Sequence, residues 1–157
     1  MSQWSASLVW PEFLQEDPER NDTQLSEYLE QPEFADENWA LWRNDVLEDV
    51  DLRLRSTGCA AVLAWAAWGG TLMEDAPEPR WVSPDDLISA VAALRALMEN
   101  AVDGALIVRD YEDYGNRGKP KEEQFAEDLA VVEAKARWAK SRGRLLVSFD
   151  VNHSGSN

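Results

Sequence analysis

Apolar residues recur at helical spacing in two long stretches of the second half of the chain. The first stretch begins at Ser83, a typical N-cap residue, with Pro84 at the first helical position, and it should end near Asn100. Its apolar stripe consists of Leu87, Val91, Leu94 and Met98. The second stretch predicts a long helix over residues 120–141, closed by Gly143. One face of that helix carries Phe125, Leu129, Val132, Ala136 and Ala139.

The first half of the chain predicts shorter helices. One covers residues 22–30, and a second covers residues 36–48. The apolar face of the second helix consists of Trp39, Trp42, Val46 and Val50. We expect helix to continue through Thr57 and to stop at Gly58, although the charged residues that alternate with leucines after residue 50 also fit a strand. Residues 59–68 form a buried apolar segment whose periodicity fits strand and helix alike.

Three short strands complete the predicted fold. One presents Trp4, Leu8 and Trp10 on a single face, a second covers residues 105–108, and the third covers residues 144–151. Residues 152–157 are expected to be a disordered tail, which leaves a single globular domain over residues 1–151. The expected fold class is α/β or α+β, with helices dominating and a small sheet.

The composition excludes several functional classes. The chain has 157 residues, with one Cys (Cys59) and one His (His153), which excludes a disulfide framework and a His/Cys zinc cage. The longest uncharged stretch, residues 56–73, contains three glycines and reads as a core segment rather than a membrane span. No basic start precedes an apolar run, so we expect a cytoplasmic protein without a membrane association.

Charge is distributed unevenly along the chain. The formal net charge is -15, and residues 1–51 hold 14 acids against two bases, Arg20 and Arg43. The opposite extreme lies near the end of the long predicted helix, where five bases occur without an acid: Lys135, Arg137, Lys140, Arg142 and Arg144. Basic residues at a helix C-terminus favour the helix dipole, and these can also pair with acids elsewhere in the fold. A molecule this acidic is not expected to bind nucleic acid directly.

Aromatic residues are concentrated in the same acidic third. Large aromatic side chains among carboxylates are typical of an interface with a basic protein, because the rings supply contact area and the acids speed encounter. The candidate partner-binding residues are Trp10, Trp39, Trp42, Asp36, Glu37, Asp45, Glu48, Asp49 and Asp51. Two alternatives stay open: the acidity serves solubility alone, and the tryptophans face the core.

No pattern of residues specifies a reaction. His153 lies in the expected tail, and Cys59 heads an apolar run without a neighbouring base, so nucleophilic catalysis fits poorly. Phosphate-binding glycine loops and calcium loops are absent from the sequence, and no cofactor is expected. The least implausible catalytic candidates are Asp110, Tyr111, Asp113 and Tyr114, for which a solvated loop is the simpler interpretation.

Three functional interpretations remain. The first is a small acidic inhibitor or immunity-type protein, not an enzyme, that blocks a basic partner such as a toxin nuclease or another nucleic-acid-binding enzyme. The second is a nucleic-acid mimic that antagonises a restriction or CRISPR complex, which requires carboxylates spaced like phosphates. The third is an enzyme of unrecognised type with a carboxylate and tyrosine site, which requires a deep pocket.

Overall fold

A computed structural model shows eight helices and three strands within the part of the chain that it describes. The described residues are 2–14, 22–32, 39–43, 46–55, 58–68, 78–109, 111 and 118–155. The helices are α1 (Pro11–Leu14), α2 (Asp22–Leu29), α3 (Trp39–Arg43), α4 (Val46–Leu54), α5 (Cys59–Ala66), α6 (Pro84–Met98), α7 (Ala101–Ile107) and α8 (Lys121–Ser141). The strands are β1 (Ser2–Val9), β2 (Ala67–Trp68) and β3 (Ser148–Gly155). The protein therefore has a helix-dominated α+β fold with a small sheet, as its sequence predicts.

The sheet is mixed and has the strand order β1-β3-β2. Strand β1 runs antiparallel to β3 over its whole length, from Ser2 opposite Gly155 to Val9 opposite Ser148. Strand β2 pairs with β3 in parallel, and an isolated bridge joins Val82 to Val147. The first and last described segments of the chain are thus held side by side. Residues 152–155 belong to β3, so the expected tail was placed too early.

Side chains cover one edge of β1. The Lys135 ammonium donates to the Ala6 carbonyl oxygen at 3.1 Å, and the Gln31 amide donates to the Leu8 carbonyl oxygen at 2.8 Å. Carbonyl groups alternate between the two edges of a strand, so both acceptors point to the same edge. Lys135 lies in α8 and Gln31 lies two residues after α2, and together they satisfy two carbonyl groups of β1. An uncovered strand edge would otherwise template pairing with another chain.

The core lies between the sheet and the helices α3 to α8, and Phe13 of α1 belongs to it as well. Helix α6 packs against both α5 and α8, and its N-cap is Ser83, whose hydroxyl oxygen accepts from the Asp86 amide at 3.1 Å. The apolar faces predicted for α6 and α8 are buried in large part. Fully buried large residues include Leu8, Leu63, Leu87, Leu94, Ile107, Phe125, Leu129 and Phe149. Within the described residues, no helix is long and apolar enough to cross a membrane.

The predicted strand over residues 105–108 is wrong, because this segment belongs mainly to α7. The Asn100 side chain caps that helix by accepting from the amides of Val102 and Asp103, at 2.9 and 3.1 Å. Gly104 allows α7 to lie close to the end of α6, since a β-carbon there would lie 3.3 Å from the Met98 carbonyl oxygen. This apolar run is thus the end of a short capped helix, in which Ile107 and the following Val108 are buried and Ala105 is exposed.

The helix boundaries of the first half also differ from the prediction. The helix predicted over residues 36–48 is described as two helices, α3 and α4. Helix α4 ends at Leu54 rather than Thr57, because Arg55 adopts a left-handed conformation with φ of 50°. Residues 59–68, left open between strand and helix, form α5 followed by the two residues of β2. The closing strand begins at Ser148, four residues later than predicted.

Candidate partner-binding surface

Helix α4 has one buried side and one exposed side. Leu47 and Val50 are buried in the core, and Leu54 packs against it. Asp49 is exposed, and Leu52, three residues further along, is 79% exposed. Residues three apart lie on the same side of a helix. The outer side of α4 therefore presents a carboxylate next to an unburied leucine.

Helix α5 presents a tryptophan to solvent. Leu63 and Ala66 of this helix are fully buried, whereas Trp65 between them is 52% exposed. A half-exposed indole leaves a large apolar area in water, which is unusual for the residue type and is typical of interfaces. The sequence predicts that this whole stretch is buried, and Trp65 is not among the predicted partner-binding residues. The signal that could have found it is helical spacing, which places Trp65 opposite Leu63.

A hydrogen bond from Trp42 joins α3 to α5. The Trp42 indole N–H donates to the Leu63 carbonyl oxygen at 3.2 Å, and its ring stacks on Phe149 with centroids 4.7 Å apart. Trp42 lies four residues before α4 begins, and Trp65 lies two residues after Leu63. Helices α4 and α5 pack against each other, and each has an exposed side. We call the exposed residues Asp49, Leu52 and Trp65 the α4–α5 surface.

The predicted partner-binding residues have different outcomes. Trp10 and Trp42 are core residues, so their expected place on an exposed surface is wrong. Asp49 is exposed and Asp51 is half-buried. The backbones of Trp39 and Glu48 lie in α3 and α4, but their side chains are outside the described residues, as are Asp36, Glu37 and Asp45.

Trp10 is buried because it forms the centre of an aromatic cluster. Its ring centroid lies 5.0 Å from Phe13, 6.1 Å from Tyr28 and 5.9 Å from Trp138. Tyr28 of α2 also stacks on Phe13, with centroids 4.7 Å apart. This cluster joins the end of β1 to α1, α2 and α8. Large rings that pack against one another are more stable in the core than in water.

The basic residues at the end of α8 are paired within the protein. Arg142 pairs with Glu30, Arg144 pairs with Glu27, and Lys140 pairs with Asp85 at 2.7 Å. The Arg144 guanidinium also lies over the Trp10 ring at 4.5 Å, and the Arg142 guanidinium lies over Trp138 at 5.6 Å. The prediction that these bases pair with acids elsewhere in the fold is confirmed for those three residues, whereas Arg137 pairs with Glu133 of α8 itself and Lys135 donates to a backbone carbonyl group. Glu27 of α2, Glu30 directly after α2 and Asp85 of α6 thus each pair with one base of this segment.

The residues considered for catalysis do not converge on a described site. Tyr111 is fully buried and donates its hydroxyl to the Asp128 carboxylate, which is also fully buried. Tyr111 is therefore a core residue rather than part of a solvated loop. Asp110, Asp113 and Tyr114 lie outside the described residues. His153 pairs through its backbone position with Trp4 of β1, and its side chain is not described.

Metal-binding and titratable groups give no further candidate in the described part of the chain. Among those residues, no group of His, Cys, Asp and Glu side chains could hold a metal ion. One carboxylate has a clearly shifted pKa: the guanidinium groups of Arg137 and Arg95 hold the pKa of Glu133 below its ordinary value. Glu133 takes part in two ion pairs between surface side chains, which is a structural role.

The chain was compared with protein families, curated proteins and solved structures. No family model, no curated protein and no solved structure matches it. The surface described above is therefore the basis on which a function can be proposed.

Proposed function

We propose that the protein is a small cytoplasmic inhibitor of the immunity type, which binds a basic enzyme and blocks it without catalysing a reaction. The α4–α5 surface and the acidic residues around the start of α4 form the contact in this proposal. A toxin nuclease is the kind of partner that fits best, because an enzyme that holds a phosphate backbone carries clustered lysine and arginine side chains.

The proposal rests on the acids of residues 1–51, of which only some are paired with basic residues at the end of α8. Residues 1–51 have a net charge of -12, and the cationic end of α8 compensates only the acids that it reaches, among them Glu27 and Glu30. Among the residues that the structure describes, no lysine or arginine lies within ion-pair distance of Asp49. Uncompensated acids repel one another in the folded state, and a basic partner would relieve that repulsion.

Charge complementarity also suits the task of an inhibitor. Opposite charges on two proteins accelerate their encounter and suppress binding to other acidic proteins. An inhibitor that must neutralise a toxic enzyme quickly gains from a fast association rate. The same carboxylates would occupy the positive surface on which the enzyme holds its substrate.

The first experiment identifies the partner and tests inhibition. The full chain is immobilised, proteins retained from a lysate of the native host are identified, and the retained basic protein is then produced in pure form. We expect the activity of that enzyme to fall in proportion to added inhibitor and to vanish near a one-to-one molar ratio. An enzyme that stays fully active with an excess of the protein would refute the proposal.

The second experiment locates the contact by charge reversal. The test variant replaces three acids at the start of α4 by lysine: Asp45→Lys, Glu48→Lys and Asp49→Lys. The control variant has the same net charge and replaces three exposed acids elsewhere: Glu78→Lys, Glu99→Lys and Glu122→Lys. Like charges that meet in an interface cost several kcal/mol, so we expect the test variant to bind at least about 100-fold more weakly. Equal affinities for both variants would contradict this placement of the contact.

A further inference from the structure

Helix α2 contacts the rest of the protein mainly through polar side chains. The residues that share its inner side, at three- and four-residue spacing, are Gln24, Glu27, Tyr28 and, just after the helix, Gln31. From this side, side chains reach Arg144, Phe13 and the Leu8 carbonyl oxygen. Next to them, Glu30 pairs with Arg142. Two ion pairs, one stacked ring and one amide hydrogen bond therefore hold α2 in place.

The leucines of α2 lie on its outer side. Leu25 is 38% exposed, and Leu29, four residues later on the same side, is 65% exposed. Most helices in proteins are held by the burial of an apolar face. Among the described helices and strands, none makes more than marginal backbone contact with α2. Helix α2 thus gains less from apolar burial than α6 and α8, whose leucines are fully buried.

Several buried polar atoms around this contact have no hydrogen-bond partner in the described part of the chain. They are the N–H groups at Trp10 Nε1, Trp138 Nε1 and Arg144 Nε. On α2 itself, the same is true of Oε1 of Gln24, one turn before Tyr28. A buried polar group without a partner weakens the structure that buries it, whereas water satisfies such a group when that structure opens.

We infer that α2 is a strap, a helix held by side-chain contacts that opens while the rest of the fold stays in place. Opening separates Glu27 and Glu30 from the arginines at the end of α8, and it removes Tyr28 from the aromatic cluster. The basic end of α8 is then exposed. Because two of the contacts are ion pairs, ionic strength shifts the strap towards its open state. The strap is thus a salt-sensitive conformational device.

Native-state hydrogen exchange of the full chain, followed residue by residue by NMR at several low urea concentrations, tests the strap. The Glu30 amide, which donates to the Ser26 carbonyl oxygen at 3.1 Å, reports on α2. The amides of the buried residues Leu94 and Val132 report on α6 and α8. Opening of the strap exposes little surface, so the Glu30 amide should exchange at least about 10-fold faster than the other two and respond little to urea. Exchange at Leu94 and Val132 should rise with urea.

Two variants with the same change in charge test what holds the strap. Glu27→Gln removes the ion pair with Arg144, and Glu133→Gln removes ion pairs of α6 and α8. The two glutamate side chains are similarly exposed, at 25% and 19%. A partly buried hydrogen bond between charged groups is strong enough that Glu27→Gln should accelerate α2 exchange about 10-fold or more. Glu133→Gln should accelerate exchange in α6 and α8 but not in α2, because its contacts persist when the strap opens.

Salt gives a further measurement on the wild type. In about 1 M NaCl the exposed pair of Arg142 and Glu30 is screened, so exchange in α2 should become faster relative to α6 and α8.

Three results would overturn the strap. If Glu133→Gln accelerated α2 as much as α6 and α8, or if α2 exchange rose with urea as steeply as theirs, α2 would open only with the whole protein. Unchanged α2 exchange in Glu27→Gln would show that the ion pair does not hold the helix.

Discussion

Arg142 and Arg144 form a natural comparison, because both reach from the end of α8 to acids at the end of α2 and both lie over an indole. They differ in burial. The side chains of Arg144 and Glu27 are 16% and 25% exposed, whereas those of Arg142 and Glu30 are 41% and 53% exposed. Replacement of each arginine by alanine therefore measures how burial changes the value of the same type of contact.

The expected costs follow from that difference. Arg144→Ala removes a partly buried hydrogen bond between charged groups and a close cation–aromatic contact with Trp10, and it leaves Glu27 without its nearest cation. We expect a loss of about 2–3 kcal/mol in the free energy of unfolding. Arg142→Ala removes an exposed ion pair and a longer contact with Trp138, and it should cost less than about 1 kcal/mol.

Urea denaturation followed by tryptophan fluorescence measures both costs. The experiment is repeated in about 1 M NaCl, where the Debye length is about 3 Å, so exposed pairs are largely screened. The cost of Arg142→Ala should then approach zero, while most of the cost of Arg144→Ala should remain. Equal costs for the two variants at low salt, or a cost for Arg144→Ala that salt abolishes, would refute the reasoning from burial.

Two further predictions concern buried and titrating groups. Tyr111→Phe keeps the ring but removes a hydrogen-bond donor from the buried Asp128 carboxylate. The free energy of unfolding, measured by urea denaturation, should therefore fall by about 1–3 kcal/mol. No measurable change would be inconsistent with this hydrogen bond. Because Arg137 and Arg95 lower the pKa of Glu133 in the folded state, its contribution to stability is present above the unfolded pKa of about 4.3 and is lost as the pH falls through the folded value. The stability difference between the wild type and Glu133→Gln, measured by urea denaturation from pH 7 to pH 3, should therefore shrink at acidic pH, and a constant difference would contradict it.

The elements that could be predicted are those whose signals are local. The start of helix α6 is indicated by its N-cap Ser83 and by Pro84 at the first helical position, and its apolar stripe is continuous. Helix α8 has an equally regular stripe, and Gly143 follows it with φ of 74°, a conformation that favours glycine. Such signals act within a few residues, so they are visible before any tertiary contact is known.

The elements that were missed depend on contacts between distant residues. The pairing of β3 with β1 places Gly155 opposite Ser2. No residue pattern near residue 152 indicates that this segment pairs with β1. Helix α7 was mistaken for a strand because only seven residues follow its cap at Asn100, too few to show a helical period. Short apolar segments take the structure that the surrounding fold imposes on them.

The sequence predicts the acidic character of the proposed binding surface but not its exposed tryptophan. Acidity is a property of the residues themselves, and Asp49 is exposed as expected. The prediction for Trp10 and Trp42 rests on their closeness to the acids along the chain, yet proximity in sequence does not decide which side of a helix faces water. Trp42 instead points inward and holds α5 by its carbonyl group at Leu63. The exposed indole is Trp65, because helical spacing places it opposite the buried Leu63 on α5.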